Sequence, residues 1–173
     1  MIQSKYFFQS KNVEFLLDKN EISSKEKTIV KDNDNNLLLN LSSFLYLINK
    51  ELIKGNDIIF ISNFGLPKSD KAFFSNAIID LRNQNFVSKD IKIDLHDNAF
   101  GNPENNPRLK GVSAKKNDNL ITIKKGIFTS CKSDKKCPPW SLQADEVKHD
   151  STKKQLIYEN VLLKIYDFPI LYF

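Results

Sequence analysis

From Leu37 onward, apolar and polar residues alternate in short runs separated by polar turns: Leu37–Leu41, then residues 44–48, 52–54, 57–62, 72–81, 86–88 and 91–95. The period is two rather than 3.6, so these runs predict strands. The clearest is Ile91-Lys92-Ile93-Asp94-Leu95, which sets Ile91, Ile93 and Leu95 on one face and the charges on the other. Residues 120–130, with Ile121 and Ile123, read as a further strand ending in Cys131. A polar loop leads to Cys137, Pro138-Pro139 bars helix and ladder bonding, and Trp140 opens new alternating runs that continue to residue 166. Residues 44–48 and 58–61 are apolar on both faces, so they pack on another layer or line an apolar groove.

A weak repeat underlies the pattern. Residues 49–58, 82–91 and 152–161 each read as polar turn, short apolar pair, polar break and new strand; Leu52 to Phe86 is 34 residues and Phe86 to Leu156 is 70. Such a period implies units that bury a face only by stacking on their neighbours. The expected architecture is all-β, a rolled stack of short antiparallel strands over residues 37–166. A loop at 98–108, marked by Gly101, Pro103 and Pro107, lies inside it. Residues 1–36 carry apolar clumps at Tyr6-Phe7-Phe8 and 13–17 and a short strand candidate at Thr28-Ile29-Val30, and are otherwise left unassigned.

Composition changes the picture in two places. Glycine is scarce (5), and asparagine and aspartate stand where turns are expected, consistent with their tolerance of left-handed backbone. The net charge of +5 is local: Lys and Arg against Asp and Glu number 13 and 13 in residues 1–100, but 13 and 8 in residues 101–173. Lys110, Lys115, Lys116, Lys124, Lys125, Lys132, Lys135 and Lys136 crowd one stretch with only Asp118 and Asp134 among them. Two readings compete: a patch for a phosphate-bearing partner, or solvated lysines that guard strand edges.

Catalytic chemistry does not assemble. The two histidines, His96 and His149, form no metal-binding spacing with each other or with the two cysteines, which have five residues between them. There is no glycine-rich phosphate loop or nucleophile elbow, and the neighbours Asp145 and Glu146 point to opposite faces of a strand. The expectation is therefore a non-enzyme without metal or cofactor. No run approaches the roughly 20 apolar residues of a spanning helix, and the first residues lack a signal-peptide layout.

Four pieces in order carry a resemblance: Phe128-Thr129-Ser130-Cys131, Trp140, His149-Asp150 and Pro169-Ile170-Leu171-Tyr172. Together they resemble the N-terminal, OstA-like part of the lipopolysaccharide-assembly outer-membrane protein family LptD, also called organic solvent tolerance proteins. The resemblance implies a β-jellyroll at the periplasmic face of the outer membrane, with a signal peptide and a C-terminal barrel outside this chain and residues 167–173 leading toward the barrel. It implies that the domain receives lipopolysaccharide from a periplasmic LptA-like bridge protein and passes it to the barrel, where the lipoprotein LptE binds. Acyl chains would run in an apolar groove, for which Ile91, Ile93, Leu95, Ile121 and Ile123 are the candidates, with the sugar phosphates outside near the lysines. It also places Cys131 where the family carries a cysteine bridged to the barrel, while a local Cys131 to Cys137 bridge remains the alternative. A different class of reading is a soluble β-solenoid or sandwich binding nucleic acid or a glycan through residues 110–136. The scarcity of aromatics there, Phe128 alone, counts against nucleic acid as partner.

Overall fold

The computed structural model describes residues 6–97, 99, 101–102, 104–132, 139–150, 152–153 and 155–173. Among the described residues, fourteen strands form one antiparallel sheet. They are β1 (Tyr6–Gln9), β2 (Glu14–Leu16), β3 (Glu21–Ser24), β4 (Thr28–Asp32), β5 (Leu37–Leu41), β6 (Ser43–Leu47), β7 (Leu52–Ser62), β8 (Asp70–Asp80), β9 (Asn85–Asp94), β10 (Arg108–Asn117), β11 (Leu120–Thr129), β12 (Trp140–Asp150), β13 (Gln155–Ile165) and β14 (Phe168–Tyr172). From β7 to β14 each strand pairs with the next, a plain meander.

Alternate long strands bend at one level. Asp57, Asp90, Lys125 and Asn160 have φ of 45, 48, 53 and 55°, each in the middle of its strand. No residue is inserted, because the register is the same on both sides: Leu52 pairs with Asp80 and Ile58 with Phe74. The left-handed residue instead shifts the inward set by one position. In β7, Ile53 and Gly55 are buried, Asn56 and Asp57 are both exposed, and Ile58 is buried again. The same slip occurs at Asp90 and at Lys125. The period-two pattern broke at these points in the sequence, which predicted separate strands at 52–54 and 57–62 and at 86–88 and 91–95. The structure corrects this: the breaks are bends within continuous strands.

These bends line up into a polar seam across the sheet. Ser42 Oγ donates to the Asp57 carboxylate at 3.0 Å and Ser75 Oγ to that of Asp90 at 2.8 Å. Further along, Asp145 accepts from Lys125 Nζ at 3.2 Å and from Asn160 Nδ2 at 3.0 Å. At its N-terminal side the bend becomes a break. β5 pairs with residues 59–61 of β7 and β6 with residues 52–56, so Ser42 is the seam residue between two half-strands. β4 and β3 pair with β5 and β6, and β1 and β2 with β4 and β3, which continues both halves. The residues unassigned from sequence thus form four half-strands of the same sheet.

The seam divides the sheet into a front arm (residues 52–56, 76–80, 85–89, 113–117, 120–124, 146–150 and 155–159) and a back arm (58–62, 70–74, 91–94, 108–111, 126–129, 140–144 and 161–165). The arms close on each other around a common core. Phe86 of the front arm packs on Phe74 and Phe60 of the back arm with ring centroids 5.0 and 6.3 Å apart. Phe8 likewise meets Tyr46 and Phe44 at 5.1 and 5.9 Å. Ile53, Ile58, Ile79, Ile123 and Val147 lie deepest, each nearly inaccessible; such burial contributes roughly 1.5–3 kcal/mol per side chain. Close to the seam the space is too narrow for side chains from both arms. An added Cβ at Gly111 would sit 2.3 Å from Ile123 Cγ2, and one at Gly126 2.4 Å from Val147 Cγ2.

Turns at the strand tips use aspartate side chains to hold the backbone. Asp32 Oδ1 accepts from the N–H groups of Asp34 and Asn35, Asp80 Oδ1 from Asn83, and Asp150 Oδ1 from Thr152 and Lys153. The sheet is open at both ends. All five residues of β14 and all three of β2 are exposed, with Phe168, Tyr172 and Phe173 more than 60% accessible.

Candidate functional site

The interior between the arms gathers the apolar side chains that alternate along the strands. Ile91 and Ile123 sit beside the seam at 2% and 0% exposure, on either side of Gly111. Ile93 and Ile121 lie further out, packed against the core. With Leu95 they line a cavity of about 220 Å³ at the open rim of the arms, opposite the seam. Phe60, Ala72 and Leu37 complete its apolar wall with Phe86. The five groove candidates are thus brought to one interior, three at its mouth and two at its floor.

The rim is polar. Lys116, at the end of β10, faces inward beside Ile121, its partner across the ladder. Its Nζ donates to the Gln84 carbonyl at 2.8 Å. Burial pushes its pKa below the ordinary lysine value, and Asp118 opposes the shift only in part. His149, from β12, lines the same mouth; burial lowers its pKa, against the opposing charges of Asp70 and Asp150. Asp70 faces them from the back arm and is itself engaged by His96, at 2.9 Å from the backbone N–H and 2.8 Å from Nδ1. Lys71, Asn35, Ser62, Asn63 and Gln84 complete the lining.

The lysines of residues 110–136 do not form one patch. Lys116 points inward, whereas Lys110 and Lys115 are exposed on the outer faces of different arms. On the outer face of the front arm, Lys124 pairs with Glu146, which is only 9% exposed in its side chain and also takes Lys148 at 2.8 Å. These two ammonium groups hold the Glu146 carboxyl below the usual range, and Glu146 with Glu159 raises Lys148. Lys125 pairs with Asp145 and Lys132 with Glu104, at 3.2 and 3.5 Å. Lys135, Lys136 and Cys137 lie outside the described residues. Cys131 carries a free thiol among the described residues, its Sγ 3.8 Å from the Trp140 carbonyl, where the chain folds back. Trp140 itself packs on Phe128, ring centroids 5.9 Å apart.

Sequence reasoning did not find the rim. Lys116 follows Ala114 at period two, on a face that only the pairing with Ile121 reveals as interior. Asp70 and the two histidines are far apart in sequence, and nothing local signals that they converge. No group of three or more His, Cys, Asp or Glu is placed to hold a metal among the described residues, and no described helix is long and apolar enough to cross a membrane.

The single folded antiparallel sheet is the LptA-like β-jellyroll, the rolled architecture expected from the strand pattern. A solved structure that shares it is LptH from Pseudomonas aeruginosa, described as the LptA-homologous periplasmic component of the lipopolysaccharide transport device. The two are 7% identical, with a TM-score of 0.50 over 92% of this chain and 94% of LptH. No family model and no curated protein sequence matches the chain.

Proposed function

We propose that this chain is a periplasmic carrier of lipopolysaccharide that shields the acyl chains between its two arms. The observation that supports the reading is the apolar interior with a side mouth, built on a fold shared with a transport component. Shielding a chain avoids about 0.8 kcal/mol per CH₂ of exposure to water, and no covalent step is needed. The resting mouth, about 220 Å³, is smaller than the roughly 300–1,000 Å³ of ordinary ligand pockets. Loading therefore requires the arms to part. Phe86 would part from Phe60 and Phe74 while the hydrogen-bonded seam stays intact.

In the finer form of the proposal the chain is the OstA-like domain of an LptD, at the periplasmic face of the outer membrane. It takes lipopolysaccharide from an LptA-like bridge through its N-terminal edge and hands it to a barrel that binds LptE. Edge pairing suits a sheet that is open at β2 and β14. A photo-reactive side chain at Ile93 or Ile121 is expected to capture lipopolysaccharide, and one at Lys92 on the outer face is not. Equal capture at both faces refutes the carrier reading. Proline at ladder positions of β1 is expected to abolish bridge binding with the fold intact; undiminished binding refutes the edge assignment. A second reading, an LptA-like bridge rather than the domain of a barrel protein, draws on the same fold, which LptH shares. Antibody detection of the native polypeptide separates the two: a membrane-bound species far above 20.0 kDa supports the barrel protein, a soluble one the bridge.

A further inference from the structure

We propose that the rim of the arms is a binding site for the phosphate headgroup of an amphiphile, with Lys116 as its principal ligand and the tails directed past Ile121 and Ile93 into the interior. The assignment rests on the carrier reading and adds the headgroup chemistry to it.

The geometry favours an anion. Lys116 is held half-buried at an apolar mouth, and among the described residues its three donors meet one acceptor, the Gln84 carbonyl at 2.8 Å. A desolvated ammonium with donors to spare is costly unless a counter-charge arrives. Among the described residues no carboxylate is in ion-pair contact with it: Asp70, the one carboxylate lining the cavity, takes both hydrogen bonds from His96 on its Oδ1. His149 stands across the ladder from Ile121, so the inward-facing charged and titratable groups of the lining are the Lys116 ammonium, one imidazole and one carboxylate already bonded to His96. Charge-assisted hydrogen bonds to phosphate oxygens would satisfy the remaining donors. The lowered pKa of Lys116 agrees, since it registers burial that the charge of Asp118 offsets only in part.

The position decides between a free ion and a lipid. The donors sit where the cavity changes from polar lip to apolar wall, with Ile121 directly across the ladder from Lys116. An inorganic phosphate would leave that wall empty; a phosphate ester of a long alkyl chain uses both.

Calorimetric titration of the purified chain with dodecyl phosphate, dodecyl maltoside and inorganic phosphate, all below micelle concentrations, tests it. The wild-type chain should bind dodecyl phosphate more tightly than the maltoside. Lys116→Met should weaken dodecyl phosphate about tenfold or more, the step that 1.4 kcal/mol represents, and leave the maltoside unchanged. Lys116→Arg should restore phosphate binding, which separates charge from packing. If neither amphiphile binds, the carrier reading falls and this site with it. If both bind equally and Lys116→Met weakens neither, the headgroup site is wrong while the carrier stands. Inorganic phosphate that binds as tightly as dodecyl phosphate makes this a free-ion site and overturns the lipid assignment.

Discussion

Replacing Gly111 by alanine tests whether the seam closes as tightly as the structure shows. The new Cβ would lie 2.3 Å from Ile123 Cγ2, 2.9 Å from the Lys124 carbonyl oxygen and 3.5 Å from Ile91 Cγ2. Neither of the first two can yield cheaply. Ile123 is fully buried with a stiff χ1, and the carbonyl belongs to a paired strand. Overpacking of this kind costs about 1–3 kcal/mol, offset by about 0.4–1 kcal/mol from the lower entropy of the unfolded alanine chain. The expected net loss, roughly 1–2 kcal/mol, lowers a urea midpoint by about 0.5–1 M at a slope of about 2 kcal/mol/M. The single tryptophan, Trp140, reports the transition. In an Ile123→Ala background the methyl contact is gone and the carbonyl contact remains, so the same substitution should cost at least about 0.5 kcal/mol less. An equal cost in both backgrounds, or none in either, refutes the close approach of the arms at Gly111.

Three further outcomes are expected. Ser88 Oγ is buried without a partner among the described residues, so Ser88→Ala should raise stability by about 1 kcal/mol; an unchanged or lower urea midpoint contradicts it. His149 has a pKa lowered by burial, so below pH 6.5 the unfolded chain takes up the proton first and stability falls as pH drops from 6.5 toward the folded value. Denaturation at pH 7.5 and 5.5 should show a smaller acid loss for His149→Gln, and parallel losses would rule this group out. For the cysteines we propose a local Cys131 to Cys137 bridge in the oxidised isolated domain and a bridge from Cys131 to the barrel in a complete LptD. Non-reducing peptide mapping of both decides, and free thiols in the exported protein would end the disulfide proposal.

The fold was legible where alternation ran unbroken. The interior face of Ile91, Ile93 and Leu95 follows from period two alone, and Ile121 and Ile123 share it. What the pattern misread were the bends, because a left-handed residue places two polar residues in succession, such as Asn56-Asp57 and Lys89-Asp90. That is also the local signature of a turn, and only the unchanged register tells them apart. The repeat near 34 residues has the same origin: it is the spacing of hairpins, with left-handed residues at 57, 90, 125 and 160. Its third member, around Lys125, escaped notice because a lysine holds the position that aspartate or asparagine holds elsewhere. The first 36 residues were opaque since their strands are half-length, too short for alternation to rise above chance.

The rim was hidden for a different reason: it depends on which strands fold over one another. A count of lysines by sequence suggested a basic patch, but charge along a strand alternates faces, and the outer-face lysines Lys124 and Lys148 are taken up by the buried Glu146. Their neighbour Lys116 differs by one step of the pleat. Being at an inward position, it cannot reach that network and is left against Ile121 and the Gln84 carbonyl. The same alternation that spends most of the basic residues on holding strands together therefore singles out one for the mouth of the interior. Position in the pleat, rather than density of positive charge, determines which lysine can meet a lipid headgroup.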